Sequence, residues 1–451
     1  MKNIVSILLF IFITNQTFAQ FENRTVLENS FIGITAITSG DINNDGFADI
    51  IISQKYNYDK ISYYLNQGDG TFASQQTIMS NINDPQTVAV ADFNNDGWLD
   101  IVSASFTLAN VVDPLYIFMN NSTNNFNAII IDNHTNTFNK IFKIKTADVD
   151  NDNDIDIVAV SDAQLNIYYN DGNGNFSKTI VDPGITLEYY DLTLSDIDND
   201  NFIDVIVGAT KTIVYKNTNG VFNYDNIRTN SIINAGLVFL VEMNDFDNDG
   251  DNDLLISGNN LSDLRWYENN GNGMFSLSQI FQTNITQCRS AISRDFDHDG
   301  DIDIFTTFPQ TGKVVWYENL NTNFGSENII YTGTIPRTEQ VYADDFTNNG
   351  KYDIVWSQEL SIHINNTSLN ISESNILNNF EIYPNPSFES FNIKTKFSGE
   401  ISIYDVLGSL IYSNINIIKG INKIEINLQP NMYLIVFKNE FSVTKTKLLI
   451  K

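Results

Sequence analysis

The stretch Asp92-Phe93-Asn94-Asn95-Asp96-Gly97-Trp98-Leu99-Asp100 decides how the whole chain is read. Six other nine-residue stretches share its frame of a first and a last Asp, at residues 41–49, 148–156, 196–204, 245–253, 295–303 and 345–353. Successive starts lie 51, 56, 48, 49, 50 and 50 residues apart. A period near fifty points to one supersecondary unit repeated in space, each copy burying its apolar face against the next.

Working outward, a short apolar stretch precedes each copy, as in Thr87-Val88-Ala89-Val90, and another follows it, as in Ile157-Val158-Ala159-Val160. A third segment ends in an aromatic, any residue and Asn, as in Tyr64-Leu65-Asn66 and Tyr267-Glu268-Asn269. Gly- and Asn-rich turns with a Phe come next in most copies, such as Gly172-Asn173-Gly174-Asn175-Phe176, and a segment of mixed polarity closes the unit. These are four short strands with turn chemistry between them and no helical periodicity. Seven such units predict an all-β chain whose residues 20–366 form a seven-bladed β-propeller. The repeated aromatic, Tyr64, Phe118, Tyr168, Tyr215, Tyr267 and Tyr317 with His363 in the last copy, is expected to pack between blades. The seventh unit lacks a fourth strand, whereas residues 21–26, Phe-Glu-Asn-Arg-Thr-Val, match the fourth segments elsewhere. The N-terminal segment is therefore expected to complete the last blade and remove an open sheet edge.

The nine-residue loops carry the clearest chemistry. Calcium takes six to eight oxygen ligands in a flexible cage. Oxygens at loop positions one, three, five and nine, with a backbone carbonyl at seven, can wrap one ion. The candidate ligands are Asp41, Asn43, Asp45 and Asp49 in loop one and Asp92, Asn94, Asp96 and Asp100 in loop two. Loop three offers Asp148, Asp150, Asp152 and Asp156, and loop four Asp196, Asp198, Asp200 and Asp204. Loop five offers Asp245, Asp247, Asp249 and Asp253, and loop six Asp295, Asp297, Asp299 and Asp303. Loop seven has only two carboxylates, Asp345 and Asp353, beside Thr347 and Asn349. It is expected to bind weakly or not at all, leaving about six Ca2+ ions. Gly at position six (Gly46, Gly97, Gly250, Gly300) or Asn (Asn153, Asn201) suits a left-handed turn. An EF-hand is excluded, because position twelve holds Ile52, Ser103, Ala159, Val207, Ile256, Thr306 or Trp356 where that motif needs Glu. Carboxylates packed into one turn repel one another without a counter-ion, which argues against loops that are merely solvated.

Composition narrows the function. With 25 basic and 55 acidic residues the formal charge is −30, which argues against nucleic acid or an anionic membrane as partner. One cysteine (Cys288) forbids an internal disulfide, and three histidines (His134, His298, His363) leave little for His-based catalysis. No nucleophile elbow, zinc helix motif or phosphate loop is present, so no enzyme is expected. Trp266 and Trp316 stand where other units have Tyr63, Ile117, Ile167 and Val214, which reads as core. At the N-terminus, Met1-Lys2-Asn3, an apolar run over residues 4–14 and Thr17-Phe18-Ala19 read as a secretory signal peptide over residues 1–19. The run is too short to span a bilayer, and no transmembrane anchor is expected after cleavage.

The nine-residue pattern and its spacing resemble the FG-GAP/VCBS repeats of integrin α-subunit propellers and of many bacterial secreted proteins. The resemblance implies a seven-bladed propeller with calcium between the first and second strands of each blade. It leaves open whether the role is adhesion, glycan binding or polysaccharide cleavage. Residues 367–379 are rich in Ser and Asn and read as a linker. Beyond them, residues 380–451 carry Tyr383-Pro384-Asn385-Pro386, then Ile401-Ser402-Ile403-Tyr404-Asp405-Val406-Leu407-Gly408, then Met432-Tyr433-Leu434-Ile435-Val436-Phe437. That order resembles the C-terminal sorting domain of the type IX secretion system, implying a small β-sandwich, the secretion machinery as partner, and a secreted or outer-membrane surface location. Asn431 departs from the Gly usual before the apolar-Tyr pair. The function expected is a calcium-stabilised binding or adhesion module for a glycan or protein ligand, with a polysaccharide lyase as the alternative. Loops opposite the acidic turns would meet the ligand. Tyr56, Tyr189, Tyr190 and Phe308 are its candidate contacts, with Tyr58, Phe106, Phe142, Glu188 and Arg337 nearby.

Overall fold

The computed structural model describes residue 21, 24–28, 33–55, 58–105, 112–122, 125–134, 140–161, 164–181, 189–232, 236–258, 263–282, 288–309, 311–333, 340–357, 360–365, 380–383, 387, 390–404, 410–425, 428–429, 431–438 and 443–450. The predicted signal peptide and linker lie outside these residues. The chain divides into two compact units, Met1–Thr367 and Ser368–Lys451. Among the described residues no helix is long and apolar enough to cross a membrane.

Among the described residues the first unit shows seven four-stranded antiparallel sheets. The second shows the pattern: Pro85–Ala91, Asp100–Ser105, Asp113–Asn120 and Phe126–His134 follow in order, each paired with the next. The second strand of a sheet is buried along its whole length, as in Asp156–Ser161, whereas the fourth alternates toward solvent or lies exposed, as in Phe176–Ile180. Buried second strands have apolar residues on both faces because a neighbouring sheet covers each side. First strands touch one another in sequence around the unit, and that of sheet seven (Val341–Asp344) touches that of sheet one (Ile34–Gly40), so the seven sheets form a closed ring. Thr25–Val26 supplies the fourth strand of sheet seven, with Thr25 opposite Ile362 and Phe21 bridged to Asn365. The expected closure is thus observed. One element was not foreseen, a short helix Asn226–Ser231 after the fourth strand of unit four, capped by Asp225.

The repeated aromatics lie between sheets. Tyr168 is buried with Phe93 and Val102 of the preceding unit, and Tyr215 with Val158 and Val160. The Asn two residues after each aromatic forms a second link between units. Its side-chain amide donates to the carbonyl of loop position two in the preceding unit. The seven links run Asn66 to Phe346, Asn120 to Ile42, Asn170 to Phe93, Asn217 to Val149, Asn269 to Ile197, Asn319 to Phe246 and Asn365 to Phe296, at 2.7–2.9 Å. Each carbonyl would otherwise be a buried acceptor without a partner. The link from Asn66 back to Phe346 joins unit one to unit seven.

The second unit contains a three-stranded sheet (Phe380–Tyr383, Ser390–Thr395, Gly420–Glu425) and a four-stranded one (Gly399–Tyr404, Leu410–Ile417, Asn431–Lys438, Val443–Ile450). Phe391, Ile393 and Ile424 of the first share one core with Ile401, Ile435, Phe437 and Leu448 of the second. Asn431, the departure noted in the sequence, lies within a strand, which it opens opposite Ile450.

Candidate metal centres and the opposite face

Each nine-residue loop is held by its own carboxylates. In loop one, Asp41 accepts the backbone N–H of Asp45 through Oδ1 at 3.0 Å and of Gly46 through Oδ2 at 2.7 Å. Asp45 in turn accepts from Phe47 N–H at 3.0 Å. Position four is left-handed in every copy (Asn44, Asn95, Asn151, Asn199, Asn248, His298, Asn348), and so is position six, where Gly or Asn stands. This gives His298 a backbone role in the turn.

The last Asp of each loop is fully buried and serves first as a bracket. Asp49 Oδ2 accepts the N–H of Ile42, and Oδ1 accepts the N–H of Asn66 just past the third strand Lys60–Tyr64, at 3.1 and 2.8 Å. The same pair of bonds recurs at Asp156 and Asp303. Burial, partly offset by these bonds and reinforced by neighbouring carboxylates, pushes Asp49 up to about 7, Asp156 to about 7 and Asp303 to about 8.

Four loops bring three carboxylates within 4.8 Å of one another: Asp148, Asp150 and Asp152; Asp196, Asp198 and Asp204; Asp245, Asp247 and Asp249; Asp295, Asp297 and Asp299. Buried oxygens without a hydrogen-bond partner include Asp150 Oδ1 in loop three and Asp295 Oδ1 and Asp297 Oδ2 in loop six. Native interiors rarely leave such acceptors alone, and a hard cation is the partner that oxygen donors at this spacing fit. Asp297 is pushed up to about 7 by burial and by Asp299 and Glu318. Glu318 is itself buried, and its counterpart in unit five, Glu268, raises Asp247. These two glutamates sit directly before the linking Asn, a place that the loop-centred sequence reading did not examine. Unit four differs, because Lys216 occupies that place and reaches Asp198, Asp200 and Asp204.

The opposite end of the ring is where first strands begin and second strands end. Two of the four aromatics expected there do not face a ligand. Tyr189 has no exposed surface and bonds Tyr215 Oη at 2.8 Å, and Phe308 is buried in the core between units five and six. Tyr189 lies two residues before the strand Asp191–Ser195 and Phe308 ends the strand Asp303–Phe308, where packing between sheets claims a large ring. Tyr56 lies outside the described residues, as do Phe106, Glu188 and Arg337. Tyr190 does line a cavity of about 460 Å³, with Lys55, Phe142, Lys143, Phe239 and Arg289. Tyr190 meets Phe239 edge-on at 4.8 Å, Arg289 lies over the Phe239 ring at 5.2 Å, and Lys143 Nζ is 3.4 Å from Asp191. The cavity opens toward a channel of about 320 Å³ between the first strands, which holds Lys145, Glu242 and Arg294. Trp266 and Trp316 are core residues, as expected, and Cys288 is buried against Thr306.

A family model described as FG-GAP-like repeat matches residues 41–103, 148–207, 245–306 and 295–356, together more than half of the chain and all seven loops. The chain belongs to the FG-GAP-like repeat family. A second model, the secretion system C-terminal sorting domain, matches residues 381–451, so this FG-GAP protein carries the tail of a secreted or cell-surface protein that engages the type IX secretion system. Comparison with curated proteins finds no match. Among solved structures, an Agrocybe aegerita lectin described as recognising non-reducing terminal N-acetylglucosamine is similar, with 17% identity, a TM-score of 0.50, and coverage of 74% of this chain and 85% of the lectin. BBS1N, solved in complex with ARL6DN, is similar at 10% identity with a TM-score of 0.54, covering 77% of this chain and 98% of that one. At these identities the likeness concerns the fold.

Proposed function

We propose that this FG-GAP protein is a calcium-stabilised, seven-bladed β-propeller that acts outside the cell as a binding module without catalytic activity, delivered by a C-terminal β-sandwich. Its ligand is an acidic glycan seated in the cavity lined by Lys55, Lys143, Arg289, Phe142, Tyr190 and Phe239. The observation that carries this reading is the gathering of three cationic side chains and three aromatic rings at one channel mouth in a chain of net charge −30. Cations at the mouth of a cavity attract carboxylates or sulfates, and flat rings stack on sugar faces. The lectin that shares the fold is described as binding a sugar, which agrees with this class of ligand. Calcium holds the other end, where buried carboxylate oxygens in loops three and six lack partners.

Titration with uronate-rich, sulfated and neutral polysaccharides tests the reading. Acidic polymers should bind and neutral ones should not, and Arg289→Ala should weaken binding by about tenfold or more, as loss of a charged hydrogen bond does. Equal binding of neutral polymers, or full affinity in Arg289→Ala, would remove the cavity from the account. Unsaturated sugar products absorbing in the ultraviolet would instead favour a lyase.

A further inference from the structure

We propose that Lys216 is a built-in counter-ion whose ammonium takes the metal's place in loop four, so that this loop binds no divalent cation. The proposal rests on calcium occupying the neighbouring loops. Lys216 Nζ lies 2.6 Å from Asp198 Oδ1, 2.8 Å from Asp200 Oδ2 and 3.3 Å from Asp204 Oδ1. These are loop positions three, five and nine, the side chains that would surround an ion. A lysine ammonium has three donors, and all three have a carboxylate here. Arg228, from the short helix that only unit four shows among the described residues, places Nη2 2.8 Å from the other oxygen of Asp198 and Nη1 2.6 Å from the helix-capping Asp225. Both Asp198 oxygens are therefore engaged by cations.

Buried oxygens without a partner occur among the first-to-fifth-position carboxylates of loops three and six but not in loop four among the described residues. At the position of Lys216 the other units carry Leu65, Met119, Tyr169, Glu268, Glu318 and Ile364. None of these is a cation, and in units five and six the residue adds a carboxylate. A divalent ion at the centre of loop four would lie within hydrogen-bonding distance of an ammonium, and like charges at that separation exclude one another. The residue before the linking Asn thus sets what its loop holds, and loop four carries its own cation whatever the calcium concentration.

Counting bound ions by native mass spectrometry, on the whole protein in calcium, tests this. Asp297→Asn in loop six should lose one ion per chain, and Asp198→Asn should lose none. Lys216→Glu, which copies units five and six, should gain one ion and should make melting more sensitive to chelation. Loss of an ion in Asp198→Asn, or no gain in Lys216→Glu, overturns the proposal while leaving calcium in the other loops intact. An unchanged count in Asp297→Asn would overturn the calcium reading of loop six and this proposal with it.

Discussion

The asparagine that links each unit to the one before it makes a sharp stability prediction, and Asn269 shows it best. Its side-chain amide donates to Ile197 O of unit four at 2.9 Å and to Asn252 O at 3.0 Å, and its Oδ1 accepts from Gly273 N at 3.0 Å. The residue is 1% exposed, so water does not replace these partners easily. Asn269→Ala leaves two carbonyls and one N–H short of a bond. At about 1–3 kcal/mol for each buried group left unsatisfied, and allowing for some relaxation, the cost is roughly 3–5 kcal/mol. Unfolding entropy near 2 cal/mol/K per residue turns that into a fall in melting temperature of about 5 °C for a unit of this size. The assay is calorimetry in saturating calcium, with exposed Asn272→Ala as control, since that side chain bonds only the nearby Asn270 O. The control should change stability by less than about 0.5 kcal/mol. If Asn269→Ala melts within 1 °C of the parent, the link between units is not what holds neighbouring sheets in register.

Three further outcomes follow from the same geometry. Chelation should lower the melting temperature strongly, because each ion bound only by the folded state adds about 2.7 kcal/mol at a hundredfold excess over its dissociation constant; a melting temperature indifferent to chelator would remove calcium from the account. In chelator, stability should rise as pH falls from about 8 toward 5, and a flat or opposite profile would contradict it. The sign follows because the position-nine aspartates titrate near 6 to 8 when folded (Asp100 about 6, Asp253 about 7, Asp303 about 8) but near 4 when unfolded, so in that window the folded state binds more protons. Deleting residues 21–28 should lower the melting temperature by several degrees, since it removes Thr25–Val26 from sheet seven and the Phe21–Phe305 contact at 5.3 Å; unchanged melting would sink the closure argument.

The ring was legible because its determinants are local and repeated. A buried strand, an acidic turn and an aromatic-X-Asn end recur at one spacing, and even the closure by residues 21–26 could be read from the missing fourth strand. The ligand face was less legible because a ring near a strand end can point into the core or out of it. Burial between sheets took Tyr189 and Phe308, and left Tyr190 at the cavity with Phe239, which had not been singled out. Lys216, Glu268 and Glu318 escaped for a different reason. They lie 12 to 15 residues beyond the last Asp of their loops, and only antiparallel pairing of the second and third strands brings them back to it.

That pairing also separates the two chemistries along the strands. Every first strand begins at the cavity and ends at an acidic loop, so cations such as Lys143 and Arg289 collect at one end and most clustered carboxylates at the other. The strand between them is a rigid spacer several residues long, about 3.3 Å per residue. Over such a distance, charges separated by solvent are screened within about 8 Å at physiological ionic strength. Calcium bound at the loops would therefore exert little of its field on a ligand held at the cavity. A variant that loses the ion of loop six but stays folded should keep its affinity for an acidic polymer, whereas raised salt should weaken that affinity in parent and variant alike. Loss of binding in a folded Asp297→Asn variant at unchanged salt would show that the ring transmits loop occupancy to the cavity, and would refute the separation argued here.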